Sequence, residues 1–198
     1  MELTVEKLDV ERGGRPVLSD TNLNVRAGEM LLLTGSNGSG KTTLLSAIAG
    51  LVPASGGRIR LSGGNPELGV GEQAHFIGHR DALKPSLTVQ ENLDFWCGFL
   101  EGARVDPAIA AFGLSALRDF PVAVLSAGQR RRLALSRLHL AARALWLLDE
   151  PTVGLDAASS ARLVSHMQSH LEEGGIIIAA SHVSLDVKAQ RIFPLDRP

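Results

Sequence analysis

A single cysteine, Cys97, leaves the chain no internal disulfide, and a fold that does without disulfides suits a reducing cytosol. Charge of one sign is also missing: the net charge is −1 and the pI about 6.6. That is no electrostatic footprint for nucleic acid. Long apolar runs are absent. The longest, ALWLL at 144–148 and IIIAA at 176–180, fall far short of the ~20 residues a membrane helix needs. The first residues, MELTVEKLDVERGG, alternate charged and apolar positions and hold no secretory stretch. Repeats and low-complexity tracts are lacking too. The expectation is a protein soluble by itself, associating with a membrane only through a partner. Hydrophobic residues at 44% against 21% charged, over 198 positions, supply a real core and one domain of residues 1–198.

The patterning that is present alternates strands with helices. Residues 2–10 and 16–26 read as strands joined by a GGR turn, and EMLLLTG (29–35) as a strand buried on both faces. A glycine-rich loop follows, then a helix over TTLLSAIAGL ended by Gly50 and Pro53. GGRIRLSGG suggests a short edge strand, and AHFIGH (74–79) another buried one. Residues 88–120 break the alternation: TVQENLDFWCGFLEG and PAIAAFGLSAL read as two helices of an insertion. Phe95, Trp96, Phe99 and Leu100 there could meet a partner, although most of them are expected to form the insertion's own small core. SAGQRRRLALSRLHLAARA continues as a helix capped by Ser126. Then come the strand ALWLLDE, the helix DAASSARLVSHMQSHLEEGG, the strand IIIAASH and a last strand RIFPLD. The class is α/β with a mostly parallel sheet.

Gly35-Ser36-Asn37-Gly38-Ser39-Gly40-Lys41-Thr42 fits G-x-x-x-x-G-K-[ST], and Thr43 follows. It stands after a buried strand and before a helix, the context this phosphate loop requires. Glycines let backbone N–H groups close on an anion, and the helix N-terminus adds positive charge. Lys41 would reach the β- and γ-phosphates of a nucleotide, and Thr42 would turn its hydroxyl to Mg²⁺. A second pair serves the same metal. Asp149 and Glu150 end a strand, with Asp149 placed for the Mg²⁺ shell and Glu150 for orienting and polarising a water. An ordinary capping turn would explain an Asp-Glu pair elsewhere.

LSAGQ at 125–129 supplies the deciding element. With TVQENL (88–93), LLDEPTVGLD (147–156) and the Ser-His at 181–182, it makes the whole chain resemble the ATP-binding subunits of ABC transporters. The resemblance implies a P-loop NTPase with a RecA-like core, an N-terminal antiparallel β subdomain and a helical subdomain of residues 80–135, its insertion falling near 80–120. It implies ATP and Mg²⁺ as cofactors, and a homodimer in which Ser126 and the N–H of Gly128 act on the partner's nucleotide. Glu150, His182 and Lys41 become the catalytic set, with His182 on the γ-phosphate; Asp156 lies at the dimer interface and also caps the next helix. Ala127 replaces the commoner glycine, tolerable if its φ is negative. Arg130, Arg131 and Arg132 either face a triphosphate or form a solvated basic face.

Two positions depart from the family pattern. His79 stands where glutamine is usual, and Gln73 lies too early to replace it; a histidine ring could still reach Mg²⁺ or the water. The family often stacks an aromatic on adenine. This chain has no tyrosine, and the matching residue is Arg12, whose guanidinium can stack on a base. His166 and His170, at i and i+4, could bind a metal but better suit a polar helix face.

GHxxxLKxxLTxxENL, LSAGQ with three arginines, and LWLLDEP together resemble the heme-exporter subunits of cytochrome c maturation. That resemblance implies a peripheral protein on the cytoplasmic face of the bacterial inner membrane, docked near residues 79–95 to CcmB/CcmC-like membrane subunits, with no nucleic acid and no heme site of its own. ATP hydrolysis would drive heme delivery or release of a heme-loaded chaperone. An ABC exporter of another cargo is the alternative. A stand-alone small-molecule kinase, a soluble ABC module of repair or translation, and a nucleotide-gated module without turnover explain less of the pattern.

Overall fold

The N-terminal alternation slips once. Leu3 and Val5 are buried in register, then Leu8 and Val10, so one extra residue must be absorbed for all four to face the same side. In the computed structural model, which describes residues 1–102, 104–188 and 190–195, Lys7 takes it up with φ 47°. There β1 (Glu2–Arg12) shifts register against β2 (Arg15–Arg26), its antiparallel neighbour. β3 (Met30–Thr34) leaves this hairpin, and β4 (Gly56–Ser62) returns to pair with β1, giving the order β2-β1-β4.

Between β3 and β4 lies α1 (Lys41–Ile48), which buries Leu44, Leu45 and Ile48. The remaining strands are β5 (Ala74–Ile77), β6 (Leu145–Asp149), β7 (Ile176–Ala180) and β8 (Gln190–Pro194). With β3 they form a wholly parallel sheet in the order β5-β6-β7-β3-β8. The inner strands read LWLLD, IIIAA and MLLLT and are buried almost throughout, as a parallel sheet covered on both faces requires. AHFIGH proves a shorter strand than expected, ending at Ile77, and it lies at the sheet's edge. The expected last strand RIFPLD runs to Asp196, which lies outside the described residues.

The chain divides into two compact units, one of Met1–Gly78, Ala144–Pro151 and the described residues from His166, the other of His79–Arg143 and Thr152–Ser165. The second unit is helical. α2 (Val89–Phe99) starts on a capping box between Thr88 and Glu91. Buried Asn92 accepts the Lys84 N–H and donates to the carbonyls of Lys84, Leu87 and Thr88, tying the preceding loop to α2. α3 (Asp106–Ala111) is shorter than the helix expected over PAIAAFGLSAL. Gly113 stops it at φ 63°, and a separate 3₁₀ turn covers Ser115–Leu117. α4 (Ala127–Ser136) also stops early, where a helix to Ala144 was expected. Ser136 Oγ donates to the Leu133 carbonyl and Arg137 Nε to that of Ala134, so side chains compete for the helix's own acceptors.

The aromatics of α2 correct another expectation. The core of this unit is built from Val89, Leu93, Ile109, Phe112, Leu114, Val122, Leu133 and Leu138. Phe95 and Phe99 stand largely outside it, 62% and 69% exposed.

α5 (Ala157–Glu172) corrects the reading of the histidine pair. His170 stacks flat on Trp146, ring centroids 4.1 Å apart, and does not line a solvated face; no group of three or more metal-ligating side chains gathers among the described residues. Burial holds its pKa down at about 4, against the upward pull of backbone groups at Ile176 and Ala144. Below the ordinary value of 6.5 the unfolded chain therefore takes up a proton that the folded chain refuses. Stability should fall as pH drops from 6.5 to about 4 and then level off. Because the ring is only partly shielded, the loss is about 1–2 kcal/mol at most. His170→Phe, which keeps the stack, should flatten that slope in urea titrations across this window. A slope left unchanged would place the linkage elsewhere.

Candidate functional site

The carboxyl ends of β3, β6 and β7 all lie along one edge of the parallel sheet, where such sheets present ligand-binding loops. Residues 35–40 follow β3. Gly35, Gly38 and Gly40 adopt φ of 143°, 79° and 104°, values that side-chain-bearing residues rarely tolerate. A Cβ on Gly35 would sit 2.4 Å from the Leu195 carbonyl, and one on Gly40 2.8 Å from Leu18 Cδ2. Lys41 folds its ammonium back over the loop, donating to the carbonyls of Gly35 (2.8 Å) and Ser36 (3.0 Å). No carboxylate lies within ion-pairing distance of it among the described residues. α1 begins at Gly40 without a side-chain cap and with no acid in its first turn. Its N-terminal N–H groups and dipole are left to an anion. Buried Ser39 Oγ has no hydrogen-bond partner among the described residues. An uncompensated cation, an uncapped helix end and a buried orphan hydroxyl fit a polyphosphate. Ser36 and Asn37 are exposed, and Thr43 is half-buried at the start of α1.

Thr42 Oγ1 donates to Asp149 Oδ2 at 2.9 Å, joining the loop to the end of β6. No group of three or more His, Cys, Asp or Glu gathers among the described residues, so there is no all-protein metal cage. One hydroxyl and one carboxylate are nevertheless what Mg²⁺ takes from a protein when phosphates and waters supply the rest.

Glu150 is the most constrained residue here. It holds φ 47°, a left-handed backbone that costs a non-glycine residue about 1–3 kcal/mol and gathers at functional sites. Its N–H donates to the Ala180 carbonyl at 2.8 Å, anchoring it to the end of β7. His182, two residues beyond β7, brings Nε2 to 3.4 Å from Glu150 Oε1 and is half exposed. Thus Lys41, Thr42, Asp149, Glu150 and His182 come together in the first unit.

The second unit carries the other group. Ser126 closes a capping box with Gln129 at the start of α4 and is exposed. Ala127 is the first residue of α4 and not among those with positive φ, so its extra methyl is accommodated. A Cβ on Gly128 would lie 2.9 Å from the Gly154 carbonyl, which explains glycine there. Asp156 caps α5 through the Ser159 N–H (2.7 Å). That hydrogen bond, helped by Arg132 and Arg162, holds its carboxyl below the usual range. Arg12 is exposed at the end of β1, opposite Arg15 in the hairpin, and His79 is exposed in the bend after β5. Neither has a contact that assigns it a role.

Each of the three arginines finds an internal partner instead of standing free in solvent. Arg130 donates to the Leu125 carbonyl, Arg131 pairs with Asp81 at 3.1 Å, and Arg132 donates to the carbonyls of Phe112 and Gly113. Unforeseen too was Arg137, buried under the Trp96 ring at 4.4 Å, with burial lowering its pKa to about 10. Apart from Arg130, the pairings join residues far apart in the chain, and no spacing announces them.

A family profile, "ABC transporter", matches residues 18–153. A "Cytochrome c biogenesis ATP-binding export protein CcmA" of Nitrobacter winogradskyi is 48% identical over 194 residues, covering 97% of both chains. A protein of the same name from Rhodopseudomonas palustris strain BisB18 is 50% identical, again over 97% of both. Among solved structures, a dimeric ATP-binding cassette in a post-hydrolysis state with ADP and Pi superposes with a TM-score of 0.83 at 21% identity, over 98% of this chain and 94% of that one.

Proposed function

The chain belongs to the ABC transporter family as an ATP-hydrolysing subunit, and on that footing we propose that it powers the export complex of bacterial cytochrome c biogenesis. The relatives' shared name over 97% of both chains supports the cargo class. The observation that carries the hydrolytic chemistry is the convergence of Lys41, Asp149, strained Glu150 and His182 at the ends of adjacent parallel strands.

The loop of residues 35–43 holds the triphosphate of ATP, and Lys41 turns from the loop carbonyls to the β- and γ-phosphates. Thr42 and Asp149 are the residues that would hold Mg²⁺, which supplies charge neutralisation at those phosphates. Glu150 accepts a proton from the water whose oxygen attacks the γ-phosphorus, and the bond to the β–γ bridging oxygen breaks as ADP departs. His182, within reach of Glu150, contacts the γ-phosphate and keeps the carboxylate oriented. The neighbouring copy in a head-to-tail homodimer contributes Ser126, the Gly128 N–H and Asp156; a dimeric cassette among the fold's relatives supports this. No helix among the described residues is long and apolar enough to cross a membrane. On the reading of the chain as an export subunit, the dimer sits on the cytoplasmic face of the inner membrane under CcmB/CcmC-like subunits, docked near residues 79–95. Its cycle drives heme delivery or release of a heme-loaded chaperone.

The test is a strain lacking its own copy of this gene, scored for covalent heme in c-type cytochromes by heme staining. The wild-type chain should restore them, and Glu150→Gln, expressed equally, should not. Normal c-type cytochromes in the empty strain would overturn the assigned cargo.

A further inference from the structure

Ser126 and Asp156 stand at the starts of different helices, α4 and α5. A third element sets the distance between them. α3 ends at Ala111, and the last carbonyls of a helix have no N–H of their own helix to accept. Arg132 of α4 donates to the carbonyls of Phe112 and Gly113, at 3.0 and 3.2 Å, and Arg162 of α5 donates to that of Ala111 at 3.4 Å. Two guanidiniums thus close on the carbonyl end of α3, where positive charge suits the helix dipole. Gly113, at φ 63°, makes room for both: a Cβ there would lie 3.0 Å from Arg162 Nη1 and 3.4 Å from Arg132 Nη1.

The two helix starts meet a second time where the first turn of α4 passes the turn before α5. The Gly154 carbonyl packs so near Gly128 that a Cβ on it would lie 2.9 Å away. One such contact alone would leave a hinge; with the arginines on α3 there are two points of attachment. Asp156 also lies within the electrostatic reach of both arginines. Stability does not account for Arg162. It is exposed, and one hydrogen bond from the surface to a neutral carbonyl contributes little to folding. Buried Leu163 beside it already anchors this end of α5. What Arg162 adds is register: it fixes where α5, and so Asp156, stands against α4.

We propose that the end of α3 is a clasp that holds Ser126 and Asp156 in one fixed relation, and that Arg162 is thereby a positioning residue for the neighbouring copy's nucleotide. The proposal rests on the head-to-tail homodimer described above. Both groups reach the neighbour's nucleotide together while the clasp is closed, and they lose that match when it slips. Lys41, Thr42, Asp149 and Glu150 belong to the other unit, so the chain's own loop keeps its hold on ATP when Arg162 is changed.

The experiment puts Arg162→Ala, and separately Arg162→Lys, into the full chain carrying Glu150→Gln and measures MgATP-dependent dimerisation by analytical ultracentrifugation. Arg162→Ala should raise the dimer dissociation constant about tenfold or more, since small misplacements of paired groups are costly. ATP affinity, measured at a dilution where the chain is monomeric, and the melting temperature without nucleotide should both stay at the parental values. Arg162→Lys keeps a charged donor and should recover most of the loss. Should Arg162→Ala lower the melting temperature, Arg162→Gln, which keeps an N–H donor without the charge, should still weaken the dimer several-fold. A dimer as tight as the parent's overturns the proposal, as does a weakening that lysine does not relieve or that ATP affinity follows. No MgATP-dependent dimer in the Glu150→Gln parent itself overturns the head-to-tail reading, and the proposal falls with it.

Discussion

Glu150→Gln is expected to slow steady-state ATP hydrolysis by about 10²–10⁴-fold, the usual contribution of a positioned general base, while ATP still binds. The amide matches the carboxylate in size, so the strained backbone at φ 47° and the N–H anchor to Ala180 are unaltered. What disappears is the ability to accept a proton. His182 then loses a charged neighbour at 3.4 Å but keeps its own place after β7. With turnover blocked and nucleotide retained, an ATP-dependent dimer should accumulate, visible by analytical ultracentrifugation with and without MgATP. Unchanged hydrolysis in this variant would remove Glu150 from its assigned role. Lost nucleotide binding would mean that the site itself had been damaged.

Lys41→Ala acts one step earlier and should weaken ATP binding by about 10²–10³-fold, the worth of one or two charge-assisted hydrogen bonds. The ammonium is the one group in the loop that combines full charge, burial and a seat on two backbone carbonyls. With it removed, the glycine turns and the α1 N-terminus still attract an anion, but without a full counter-charge. Calorimetry on the purified chain reads the loss directly, and thermal melting without nucleotide controls for the structure. ATP affinity equal to that of the parent would show that the loop backbone alone holds the phosphates.

The parts legible in the sequence were those that a short stretch of chain determines. Apolar runs such as IIIAA and LWLL announce strands buried on both faces, and the Gly-Lys-Thr step announces the loop between strand and helix. Ser126 and Asp156 could be named as caps because capping is settled within three residues. Helix ends were misjudged where a side chain competes locally, as at Ser136 and Arg137. The fates of Arg131, Arg132 and His170 were hidden because their partners come from distant segments. Phe95 and Phe99 were left between a partner's surface and the insertion's own core because hydrophobicity alone says that a residue avoids water. It does not say which surface hides it.

The position of β3 has a consequence for how the protein is made. Its two neighbours in the sheet, β7 and β8, come from far down the chain, and the Leu195 carbonyl packs where a side chain on Gly35 would stand. Synthesis is vectorial, from the N-terminus onward. A nascent polypeptide emerging from the ribosome thus displays the whole glycine-lysine signature long before the strand bearing it has a neighbour on either side. Nucleotide capture is deferred until β7 and β8 have been made, so a product that stops short of β7 carries the signature on a strand with neither of its sheet neighbours.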